Sequence, residues 1–146
     1  MRSVKPLFVV VVAAVFGIGC SSLDDVVREK QAGGGTARTY AVTFDQAWEI
    51  SRTVFRWEGA DQIEEHKDQK YMLTSSGMNF VSAGAVMGAW IEPLDEKNTR
   101  VTVITKRRMS TNIATTLTES TYQKTFAQAV QIVLAGKPLP LTKPAD

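Results

Sequence analysis

Cysteine and histidine are almost absent from this chain: Cys20 and His66 are single occurrences among 146 residues. With no second cysteine, no internal disulfide forms and a thiolate metal site lacks partners. With one histidine, the many Ser and Thr hydroxyls lack the usual general base, which removes most triad chemistry. His66 has no neighbours at metal-ligand spacing, since Glu64 and Glu65 beside it point to alternate faces of a strand. It is expected as a solvent-facing strand residue. Gly77, Gly84 and Gly88 are followed by no Gly-Lys-Ser/Thr, so they are not a phosphate loop. Glu64, Glu65 and Glu92 show no spacing that pairs carboxylates for glycoside cleavage. No cofactor is implied, and the reading is non-enzymatic.

Acidic residues are missing before Asp24, while Arg2 and Lys5 precede an apolar run from Leu7 to Gly19. A basic start, an apolar middle and a small-residue exit make residues 1–19 a cleavable export signal. Thirteen residues give about 20 Å of helix at ~1.5 Å per residue. That falls short of a bilayer core about 30 Å thick. The chain has 17 Lys and Arg, two of them in this leader, against 15 Asp and Glu. The remainder is therefore balanced in charge, which argues against nucleic acid as a partner and against strong adhesion to anionic lipid.

Placed directly after Ile18-Gly19, Cys20 resembles the modified cysteine of bacterial lipoproteins. The resemblance implies acylation of Cys20, cleavage just before it, and a membrane partner held through the lipid. Gly17 stands where that family usually has leucine, a departure that implies either slower cleavage or an ordinary secretory signal with Cys20 as a stray thiol at its end. Ser21 in place of aspartate implies, by the family's sorting pattern, the outer membrane facing the periplasm.

Residues 20–38 are expected to form a lipidated tether. The segment 23–30 lacks a wide apolar stripe, and Gly33-Gly34-Gly35 oppose regular structure through backbone entropy. The domain proper is expected over 39–136, opening on a short strand at 39–42. Thr43 and Gln46 form a capping box for a helix whose Phe44, Ala47, Trp48, Ser51, Val54 and Phe55 share one face, closed by Gly59. Two hairpins follow: 63–66 with 71–76, and 86–92 with 99–106, the turns at 67–70 and 95–98. Pro93 must end its strand or lie on an edge. Thr116 and Glu119 suggest a capping box for a second helix, with Tyr122, Phe126, Ala129, Val130, Val133 and Leu134 as its stripe and Gly136 and Pro138 as its stop. The tail, 137–146, carries three prolines and is expected to be extended and mobile. The order β-α-β-β-β-β-α predicts an α+β fold, an antiparallel sheet of four to five strands with two helices on one face.

Two surfaces stand out as candidates for binding. Trp90, with Phe80, Val81 and Met87, could line an exposed apolar patch for a partner or lipid chain; the alternative for Trp90 is core packing, as for Trp48 and Trp57. Lys106, Arg107 and Arg108 are the one local basic cluster, either an anionic-partner contact or a charged strand end that discourages edge pairing.

Gly88-Ala89-Trp90-Ile91-Glu92-Pro93, then Thr99-Arg100-Val101-Thr102-Val103, then Thr118-Glu119 make the chain similar to small bacterial envelope lipoproteins of unknown function. More loosely, it is similar to the α/β modules of the barrel-assembly accessory lipoprotein. The likeness implies a lipid-anchored interaction or structural module with an envelope protein partner. The alternative is a carrier or sensor of a small apolar ligand held between helices and sheet near Phe80, Met87 and Trp90.

Overall fold

A computed structural model of the chain describes residues 21–76, 84–108 and 118–145. Five strands form one antiparallel sheet: β1 (Thr36–Tyr40), β2 (Ala60–His66), β3 (Tyr71–Ser76), β4 (Ala85–Pro93) and β5 (Thr99–Arg107). Their spatial order is β1-β5-β4-β3-β2. Three helices accompany them: α1 (Leu23–Gln31), α2 (Phe44–Trp57) and α3 (Glu119–Leu134). The α+β class and the antiparallel sheet are as the pattern predicts.

Helix α2 starts where its chemistry dictates. The Thr43 hydroxyl accepts the Gln46 amide at 3.2 Å, and the Gln46 side chain accepts the Thr43 amide at 3.0 Å. Ala47, Trp48, Ile50, Ser51, Val54 and Phe55 are buried, and Gly59 follows at φ 85°. Helix α3 is capped by Thr118, whose hydroxyl accepts the Thr121 amide at 3.1 Å; Thr116 lies outside the described residues. At its end the amides of Gly136 and Lys137 donate to the carbonyls of Val133 and Ile132 at 2.9 and 3.1 Å, with Gly136 at φ 70°. This double closure requires a left-handed residue, which glycine adopts without strain.

Both helices pack their apolar stripes on one sheet face, against Met72, Ala85, Met87, Ala89, Ile91, Val101 and Val103; Leu134, expected in the α3 stripe, is instead 54 % exposed at the last residue of the helix. Gln123 is the largest polar side chain among the buried residues, fully buried. Its side-chain amide donates to the carbonyls of Thr36 and Val101 at 3.0 and 3.2 Å, while the Tyr40 hydroxyl donates to its oxygen. One glutamine thereby ties α3 to β1 and β5. Burial pushes the Tyr40 hydroxyl up to about 12, which keeps it a donor.

The largest departure from expectation concerns residues 21–38. In place of a flexible tether the chain forms α1, packed on the opposite sheet face, and β1 already begins at Thr36. Val26 is 0 % exposed and lies with Leu73, Val86, Trp90 and Ile104 in a second apolar cluster. The three glycines serve this packing. The amides of Gly33 and Gly34 close α1 on the carbonyls of Lys30 and Glu29 at 3.0 and 2.9 Å, with Gly33 at φ 84°. Gly35, at φ 101°, passes so near β5 that a Cβ there would lie 2.6 Å from Ile104 and 2.8 Å from the Val103 carbonyl. At the start of α1 the Asp25 carboxylate accepts the Ser22 amide at 2.7 Å. That bond holds the carboxyl below the usual range.

The tail also departs from expectation. Leu139 packs against the core, the Pro140 carbonyl accepts the Trp57 indole at 3.1 Å, and Lys143 meets Glu58 at 2.7 Å. Leu141, by contrast, is 99 % exposed.

A docked α1 and a floppy tether make opposite predictions. Val26→Asp buries a charge beneath α1 and is expected to cost about 3 kcal/mol. Gly88→Ala sets a methyl 2.6 Å from the Trp90 ring and 2.9 Å from Val26, for a loss of about 2 kcal/mol. Urea unfolding checks both; midpoints equal to the parent's would return residues 21–35 to a tether.

Candidate functional site

Cys20, Phe80 and Val81 lie outside the described residues. The remaining members of the expected apolar patch are separated by the sheet. Met87 is 0 % exposed, on the face covered by α2 and α3, whereas Trp90 is 9 % exposed and lies under α1. The reason is strand parity: residues three apart point to opposite faces. Met87 is therefore core, and no exposed surface contains both residues.

Parity also divides the basic cluster. Lys106 sits on the α1 face and pairs with Glu29 at 2.6 Å. Arg107 is exposed on the other face, beside Thr36, Thr105 and the start of α3. Arg108 lies just past the strand; its amide donates to the Gly84 carbonyl and its carbonyl accepts the Ser21 amide, both at 3.2 Å. The Nε of Arg108 is shielded from solvent with no hydrogen-bond partner among the described residues.

What the fold does assemble is a row of rings across three strands. His66 pairs with Tyr71 and Tyr71 with Trp90 in the strand register. Their rings stack at centroid distances of 4.5 and 5.7 Å, with interplanar angles of 22° and 24°. Aromatic neighbours in opposing register contribute roughly 0.2–1 kcal/mol each. Between this row and α1 lies an open groove of about 530 Å³. Leu23, Val27, Tyr71 and Leu73 give it an apolar floor, and Asp24, Glu64 and His66 give it a polar rim. The His66 Nε2 is 3.8 Å from the Glu64 carboxylate. Strand pattern alone missed this row, because His66, Tyr71 and Trp90 come together only when the register of two hairpins is known.

On the other side of β2, Glu65 has a different task. Its carboxylate accepts the Trp48 indole at 2.9 Å and the Arg52 guanidinium at 2.6 and 2.7 Å. The Arg52 bond, followed by the Trp48 bond, holds the carboxyl below its usual range despite partial burial. Arg52 is raised by the same contact and is also held by Glu49. This arrangement fastens α2 to β2. Among the described residues no group of three or more His, Cys, Asp or Glu side chains could hold a metal ion. No helix among them is long and apolar enough to cross a membrane.

A lowered carboxyl gives stability that is present above its unfolded value, near 4.5, and is lost as pH falls through the folded value. Glu65→Gln should therefore lower the urea midpoint at neutral pH and flatten its decline on acidification. A variant whose acid decline matches the parent's would assign that decline to another carboxylate.

Comparison with protein-family models, with curated proteins and with solved structures returns no match to this chain.

Proposed function

We propose that the chain is a lipid-anchored, non-enzymatic module of the bacterial cell envelope, attached through Cys20 and working by contact with another envelope protein. The observation that carries this reading is the order of features at the N-terminus. Arg2 and Lys5, the apolar run Leu7–Gly19 and the sole cysteine stand immediately before a packed domain. Two or more acyl chains on one residue anchor a protein stably, where a single chain is marginal. By the sorting pattern of the family it resembles, Ser21 assigns the module to the periplasmic face of the outer membrane.

Support for a binding role comes from the groove beside α1. An apolar floor with a polar, solvent-facing rim is the usual anatomy of a protein contact. Asp24 and Glu64 on that rim favour a basic segment of the partner. The Glu65–Arg52 pair is committed to holding α2 on β2, and His66 to its ring stack, which favours a scaffold over a catalyst.

Cys20→Ser, expressed in a bacterium that processes lipoproteins, is expected to move the protein from the detergent phase to the aqueous phase on temperature-induced partitioning. The parent should remain in the detergent phase. Equal partitioning of the two would rule out acylation at this position.

A further inference from the structure

The sheet ends on β1 at one side and on β2 at the other. An edge strand presents main-chain N–H and C=O groups with no neighbour, and lysine, proline or a covering element commonly blunts it. From Gln62 to His66 the pairing of β2 with β3 is regular, and this run contains neither lysine nor proline. Helix α1 packs over β3, β4 and β5. The two faces of the β2 edge differ in charge. On the α2 face, Glu65 is neutralised by Arg52. On the α1 face, Glu64 is exposed, and its one ion-pair partner among the described residues is His66, at 3.8 Å. Asp24 lies across the groove on α1, exposed and without an ion-pair partner among the described residues. Neither Arg28, which pairs with Asp25, nor Lys67, which pairs with Asp45, compensates these two carboxylates.

We propose that the β2 edge receives an extended segment of a partner protein as a sixth strand, with Lys or Arg at alternate positions facing the α1 side. This rests on the contact role given above to the groove and takes nothing from Cys20. In strand addition the main-chain bonds supply affinity and alternate side chains supply specificity. Neighbouring strands lie about 4.8 Å apart, so the basic side chains of the added strand start beside Glu64. From there their charged ends meet Glu64 and Asp24, while the apolar stems cover Leu23 and Tyr71. On the other face the intervening residues meet Ile63 and the Glu65–Arg52 pair, where a further charge gains little. A second copy of this chain fits the edge poorly. Antiparallel pairing of two β2 strands about Ile63, Glu64 or Glu65 sets carboxylate against carboxylate, and like charges in opposing register are destabilising.

The test uses the full chain with phosphatidylcholine nanodiscs, which offer a basic peptide no anionic surface. The probe is a short peptide of alternating Arg and Val. Amide hydrogen exchange, read by NMR, is expected to slow about tenfold at the outward amides of Gln62–His66 and to stay unchanged in Thr36–Tyr40. Asp24→Lys/Glu64→Lys should weaken this peptide about tenfold and gain binding to a peptide of alternating Glu and Val. No protection at millimolar peptide overturns the proposal, as does equal protection by a peptide with its Arg and Val residues in two blocks. Peptide-induced shifts at Asp24 and Glu64 without protection in β2 would reduce the site to a charge contact and overturn the added strand. Protection that needs no peptide and rises with protein concentration would give the edge to a second copy. Exchange is read whether or not Cys20 carries lipid. An intact mass lacking acyl chains would therefore overturn the anchor and leave the added strand, and the reverse failure would leave the anchor.

Discussion

A sheet whose two faces are both apolar cannot be left with one face in water, and this constraint governs the whole chain. Strand β4 states it most plainly. Ala85, Met87, Ala89 and Ile91 supply one face, Val86 and Trp90 the other, and all are buried. Helices α2 and α3 cover the first face, so something must cover the second. That cover is α1, and Gly88 leaves room for it, since a Cβ there would meet the Trp90 ring and Val26. At about 25 cal/mol per Å² of apolar surface removed from water, even a short helix over a tryptophan contributes materially to a small domain. The ion pairs Glu29–Lys106 and Lys30–Glu92, at 2.6 and 3.6 Å, set the direction in which α1 crosses the strands. As partly exposed pairs they contribute little more than orientation.

Much of the architecture was legible because local chemistry and tertiary need agree. Thr43 and Gln46 start α2, Gly59 ends it, and Gly136 ends α3; each feature satisfies backbone groups that any helix leaves over. The two hairpins follow from period-2 alternation and polar turns. Helix α1 was not legible, because its stripe is narrow and only Val26 is completely covered. The informative signal lay in the receiving surface: Ala85 to Ile91 is apolar almost without interruption, the mark of a strand buried on both faces. The glycine triplet misled because backbone entropy alone cannot separate a linker from a helix stop. The positive φ of Gly33 and Gly35, and the close approach of Gly35 to β5, exist only once the sheet does.

The candidate surfaces were less legible than the fold, for reasons of parity and register. Met87 and Trp90 are near in sequence but divided by the thickness of the sheet, as are Lys106 and Arg107. The ring row of His66, Tyr71 and Trp90 depends on two hairpin registers at once. Neither register follows from composition. Gln123 was hidden for another reason, being a polar residue inside an apolar stripe whose acceptors lie 22 and 87 positions away.

The docking of α1 also has a temporal side. Glu29 and Lys106 are 77 positions apart, and the surface beneath α1 is made from β3, β4 and β5. A chain emerging from its N-terminus, whether from a ribosome or through a narrow channel, presents α1 long before its seat exists. Nine residues are too few for a stable helix alone in water, so this segment stays open until most of the sheet has followed it out. Closing that long loop is among the slower steps open to a domain of this kind. The segment nearest the N-terminus thus becomes one of the last parts of the molecule to find its place.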